Sequence, residues 1–181
     1  RESSELALGR QLPWLAAFGL THSAVEWSEM FLLGNLPAGM ANSLGTARIV
    51  LLELSALLLI RFGIGLITYV GPLLSWVTFA PATSVVPLAL VIAYALISVL
   101  TDPEMKTSAD IWSRYLLLLP GGLLTAIGFA RHWYAAPHVS SSRAYRWLLV
   151  ASVAALVYAV LAGLIVPAGE YGLAHWINTE A

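Results

Sequence analysis

The chain of 181 residues is 59% hydrophobic and only 10% charged, with a mean hydropathy of +0.81, whereas a soluble domain carries roughly 25% charged residues. Nine basic and ten acidic side chains are too few to coat a water-soluble globule, and a net charge of −1 offers no basic field for nucleic acid. With no cysteine, disulfides, iron–sulfur clusters, thiolate zinc sites and cysteine nucleophiles are excluded together.

The surface that charge leaves uncovered implies lipid, and a crossing of about 30 Å takes about 20 apolar residues. Residues 1–10 are polar and lack the pattern of a cleavable signal peptide, and a first residue other than Met reads as a processed or trimmed start. A first span is expected over residues 11–33, followed by a Gly, Pro and Asn-rich loop over 34–43, and a second over 44–60. Phe62 to Thr101 is uncharged over forty residues. Pro81 and Pro87 divide it into spans at 63–79 and 84–100. The turn at Arg61-Phe62-Gly63 is so short that one long, tilted or broken helix is the alternative there.

Residues 101–110, with Pro103 and four charges, read as a solvated loop capping the next helix through Ser108 or Asp110. A fifth span follows over 111–133, a polar loop with Pro137, Arg143 and Arg146, and a sixth span over 147–166. The fold class predicted is all-α, a polytopic transmembrane bundle of about six spans in one integral-membrane domain. Trp14, Trp112, Trp133, Tyr134, Trp147 and Trp176 fall near the helix ends, at headgroup level, whereas Trp27 and Trp76 read as bundle residues. Arg131, Arg143 and Arg146 favour a cytoplasmic loop between spans five and six, against Arg1, Arg10, Arg61 and Lys106 on the other side.

Ionisable groups inside a span cost roughly 2.5–3.5 kcal/mol each and face protein or water. His22, Glu26 and Glu29 stand at i, i+4 and i+7, on one helical face. Counted from the loop shared by the first two spans, Glu29 and Arg48 lie at equal depth and are expected to form an ion pair. Glu26 and Glu53 fall together near mid-membrane, so one is expected to be protonated or bridged by His22. Three readings of these five residues stand side by side: hydrogen-bonded glue between helices, a ligand-sensing or proton-responsive cavity, or ligation of a metal or haem. The last wants further ligands, and His132, His138 and His175 lie in or near loops.

Arg114 follows Asp110 by four residues and reads as a helix-end pair that snorkels to the interface. Pro120-Gly121-Gly122 predicts a kink facing a neighbouring helix, serving as hinge or packing notch. Gly63 and Gly65, like Gly121 and Gly122, read as small-residue packing faces. No Walker loop, nucleophile elbow, zinc-protease motif or dinucleotide fingerprint occurs in the sequence, and the chain is not expected to be an enzyme. No cofactor is specified.

Two stretches carry a resemblance: Phe18-Gly-Leu-Thr-His22-Ser-Ala-Val-Glu26-Trp27-Ser-Glu-Met30-Phe31 and Ile111-Trp-Ser-Arg114-Tyr115-Leu-Leu-Leu-Leu-Pro120-Gly121-Gly-Leu-Leu. Together they resemble the multi-pass N-terminal sensor regions of bacterial membrane histidine kinases and diguanylate cyclases. The resemblance implies a signalling role in a bacterial inner membrane, with a further span and cytoplasmic transmitter domains that this sequence lacks. The chain is then either the membrane part of a longer receptor or a free-standing module. The expected partners are the lipid bilayer, other membrane subunits or a second copy. An accessory subunit of a larger, pigment- or cofactor-associated complex is the alternative function, and a small transporter or proton path using Glu26 and Glu53 a third.

Overall fold

A computed structural model describes residues 4–69, 103–135, 143–167 and 172–177. Helix α1 (Ser4–Leu32) is followed by α2 (Ala38–Tyr69), α3 (Pro103–Ser113), a π-helical segment (Arg114–Leu118), α4 (Leu119–Ala135) and α5 (Arg143–Leu164), and a 3₁₀ turn spans Gly172–His175. The all-helical reading holds for the described residues.

Among the described residues, three stretches are long and apolar enough to cross a membrane: Ala38–Thr68, Lys106–Tyr134 and Arg146–Leu164. These three, and not six, are the spans supported among the described residues. The expected first span forms as α1, long enough but diluted by Gln11, Thr21, His22, Ser23, Glu26 and Ser28, so it falls outside the three. Spans two and three prove to be one helix on the described side: α2 runs unbroken through Arg61-Phe62-Gly63 to Tyr69, about 48 Å at 1.5 Å per residue. No residue there demands a turn. Phe62 is fully buried, Arg61 lies over the Trp14 ring at 5.3 Å, and Gly63 presses against the Leu124 and Thr125 backbone. The expected span at 84–100, with the Pro81 to Pro87 divider and Trp76, lies outside the described residues.

Boundaries move for identifiable reasons. The first loop is only residues 33–37, because Pro37 sits just before α2, where its missing N–H costs nothing and its fixed φ starts the helix early. Pro103 plays the same part for α3, so Lys106 to Asp110 is helix and not a capping loop. Within α1, the hydroxyls of Thr21, Ser23 and Ser28 bond back to the carbonyls of Ala17, Gly19 and Val25. Each polar group is thereby satisfied inside its own helix, as apolar surroundings require.

The main core is Val25 of α1, Leu52, Ala56 and Leu59 of α2, and Leu117 and Leu118 of the π segment. Toward one end Phe62, Leu66 and Phe129 form a second cluster with Leu15 and Leu148. At the other, Ile111 packs with Val166 and Ala174. Lys106 near the start of α3 bonds Asn42 near the start of α2, and Arg131 near the end of α4 reaches the Ile67 carbonyl near the end of α2. Therefore α2 and α3–α4 run parallel, with α1 and α5 antiparallel to them.

Glycines set the spacing of α4. A Cβ at Gly122 would lie 2.6 Å from Ala159 Cβ on α5, one at Gly163 2.7 Å from Leu119 Cβ, and one at Gly128 2.6 Å from Leu66 Cβ on α2. Gly121 faces Ile60 more loosely, and Gly65 abuts the Gln11 side chain on α1. At Pro120 the helix does not simply bend. The preceding turn widens into the π segment, where the Leu119 N–H bonds the Arg114 carbonyl five residues back. Proline lacks an N–H and its ring crowds the carbonyl four residues before it, and the wider turn takes up that misfit.

Candidate functional site

The polar residues resolve into two clusters that share α1 and α2. Nearer the loop end, Arg48 is held between two carboxylates: its Nη2 lies 3.1 Å from Glu29 Oε1 on α1, and its Nη1 2.9 Å from Asp110 Oδ2 on α3. Asp110 Oδ1 in turn accepts from Arg114 Nε at 2.9 Å, and Arg114 Nη1 donates to the Ala162 carbonyl of α5 at 3.3 Å. One chain of charge-assisted bonds thus links α1, α2, α3, the π segment and α5. Burial is uneven along it: the Asp110 side chain is 4% exposed and that of Glu29 46%. The depth count from the loop placed Glu29 beside Arg48, where the structure has it. The expected i, i+4 pair of Arg114 with Asp110 forms as well, but Arg114 turns inward to α5 instead of snorkelling to the interface.

Arg48 keeps a donor in reserve. Its Nε is buried without a hydrogen-bond partner among the described residues, an arrangement that costs about 1–3 kcal/mol. Beside it lies an open pocket of about 320 Å³, lined by Glu29, Gly45, Arg48, Lys106, Thr107 and Asp110 among others. Its volume is at the low end of small-molecule sites, about 300–1,000 Å³.

The second cluster surrounds His22. Its Nε2 lies 2.9 Å from the Tyr158 hydroxyl of α5 and 3.6 Å from Glu26 Oε1, and its Nδ1 3.3 Å from Ser55 Oγ of α2. Phe18, one turn earlier, stacks on the imidazole at 5.2 Å between ring centres and meets Tyr158 edge-on.

The expected meeting of Glu26 and Glu53 does not occur. Glu26 turns outward with 60% of its side chain exposed. Glu53 is buried on the flank of α2 that faces α3, where Ser113 Oγ donates to its Oε1 at 3.1 Å. Each helical residue turns 100° from the last, so Leu52 faces the main core while Glu53 faces α3. Of the five residues read from sequence, Glu29 and Arg48 pair, His22 and Glu26 adjoin, and Glu53 stands apart. Trp27, expected inside the bundle, is 65% exposed. Among the described residues, no three of His, Asp and Glu converge on a point that could hold a metal ion.

Sequence reasoning missed Ser55, Asp110 as a bridging acid, Ser113 and Tyr158. A lone phenol in the middle of the largely aliphatic last span was a signal for Tyr158. Neither a protein-family model, nor a curated protein, nor a solved structure matches the chain.

Proposed function

We propose that the chain is a non-catalytic, membrane-embedded sensor module of a bacterial signalling protein in the inner membrane, and that it responds to a small amphoteric solute in the pocket beside Arg48. The observation that carries this reading is the ionic chain Glu29, Arg48, Asp110, Arg114 and Ala162 bordering that pocket. A half-exposed carboxylate and the Lys106 ammonium on the pocket wall suit a molecule bearing both charges. A ligand cation that takes Glu29 from Arg48 redistributes bonds along a chain ending on α5. It shifts an equilibrium between arrangements by its differential affinity for them.

The test is thermal stability of the purified full chain against a panel of free amino acids and betaines. At least one should raise the melting temperature, with the rise lost in Glu29→Gln and in Lys106→Met. No rise across the panel, or a rise indifferent to both variants, rejects the pocket as the site.

A second reading, an accessory subunit of a larger membrane assembly, draws on α5. Only 11% of its apolar stretch is buried, against 56% in α2 and 50% in α3–α4. Stoichiometric copurification with other membrane proteins from native membranes would favour that reading.

A further inference from the structure

Hydrogen-bond accounting around His22 leaves one arrangement for the neutral ring. Ser55 Oγ lies 2.7 Å from the Leu52 carbonyl oxygen. A carbonyl only accepts, so the Ser55 proton is committed there. Toward His22 Nδ1, 3.3 Å away, the Ser55 oxygen therefore accepts, and Nδ1 carries the ring hydrogen. A neutral imidazole has one N–H, so Nε2 holds a lone pair and the Tyr158 hydroxyl at 2.9 Å donates to it. Neutral His22 thus fastens α1 to α5 through a bond in which α5 is the donor.

A proton added at Nε2 reverses that bond. Tyr158 now has to accept, and it competes with the Glu26 carboxylate 3.6 Å from the same nitrogen. A charge-assisted bond to a carboxylate is roughly twice as strong as one between neutral groups, and Glu26 lies on the same helix, one turn away. The groups facing His22 are Glu26 and Glu29 from α1, the neutral Ser55 from α2, Arg114 from the π segment and the phenol of Tyr158 from α5. Arg114 is already engaged by Asp110 and Ala162, so Glu26 is the anion free to take the imidazolium.

We propose that His22 is a proton-operated latch between α1 and α5: neutral, it holds the Tyr158 hydroxyl, and protonated, it lets go of α5 and pairs with Glu26 on its own helix. The latch is distinct from the solute pocket, because His22, Ser55, Tyr158 and Glu26 do not line it, and Glu29, which does, is bonded to Arg48. It gives the bundle a second input, proton concentration, acting on the same helix α5.

The full chain in lipid nanodiscs tests this with two readouts. Nitrogen NMR of histidine-labelled protein, with the His22 signals assigned through His22→Gln, should show the Nδ1–H tautomer at high pH and protonation at Nε2 on acidification. Spin labels at the outward-facing Ser23 and Leu161 should show the α1 to α5 distance shift with the same midpoint. Tyr158→Phe should abolish the distance shift while His22 still titrates, and the exposed Glu26→Gln should reduce it. The opposite tautomer, a distance that stays constant while His22 titrates, a His22 that never titrates, or a distance shift that survives in Tyr158→Phe would each overturn the latch.

Discussion

At the scale of single residues, position in the ionic chain decides cost more than charge does. Asp110 is almost completely buried and accepts from both Arg48 and Arg114, whereas Glu29 is half exposed and, among the described residues, pairs with Arg48. Removing a partner from a buried pair costs about 3–5 kcal/mol, since it strands the other charge. An exposed pair is worth about 0–1 kcal/mol. Asp110→Ala is therefore expected to destabilise the chain severely and Glu29→Ala mildly, as read by reversible unfolding in mixed micelles. Equal losses would refute the ranking. The same contrast explains what was legible beforehand. Glu29 and Arg48 belong to helices joined by a short loop, so depth could be counted from one origin for both. Asp110 reaches Arg48 across sixty-two residues of sequence, and no local spacing encodes that meeting. Glu26 and Glu53 were brought together by depth alone, and depth leaves rotation about each helix open: Glu26 turns outward and Glu53 toward Ser113.

At the scale of elements, the helices meet where side chains are absent. A methyl at Gly122 would strike Ala159 Cβ and approach its Cα to 3.0 Å, and one at Gly63 would strike the backbone of Leu124 and Thr125. These are not flexible side-chain tips that can swing aside. Gly122→Ala and Gly63→Ala are expected to cost about 1–3 kcal/mol by overpacking. Gly19→Ala meets nothing within 4 Å and should be neutral or stabilising by up to about 1 kcal/mol, through helix propensity. Melting temperatures of the three variants check the ordering. The π segment offers a companion test. Pro120→Ala restores a backbone donor to the turn above Arg114, and hydrogen exchange at 114–119 should slow. Unchanged exchange would mean that proline is not what widens the turn. The sequence marked Gly63, Gly121 and Gly122 as contact points and Pro120 as irregular. It did not distinguish a bend from a π turn, since both follow from one missing N–H.

At the scale of the whole molecule, the outer faces distinguish lipid from water. Val153 and Val157 on α5 are about half exposed, while Thr107 on the pocket wall is exposed at the loop end. The native chain has no cysteine, so single cysteines give clean labels. In liposomes, Val157→Cys should resist a water-soluble maleimide, and a fluorophore attached there should be quenched by brominated acyl chains. Thr107→Cys should label rapidly. Rapid labelling at both positions would refute a membrane-facing α5. Hydropathy alone sufficed to read this outer surface, because lipid contact is a bulk property of composition. The number of crossings was less legible, as an apolar helix does not announce where it stops without turn residues.

The charge pairs also bear on biogenesis. Glu29 and Arg48 lie within the first hairpin, and Asp110 and Arg114 lie within one helical turn of a later segment. As synthesis proceeds from the N-terminus, each unit carries its own counter-charge when it emerges, before the Arg48 to Asp110 contact joins them. Neither unit enters the bilayer with an isolated ion from this network, whose insertion alone would cost roughly 2.5–3.5 kcal/mol. The Arg48 to Asp110 bond then joins two pieces that are each already neutral in this network.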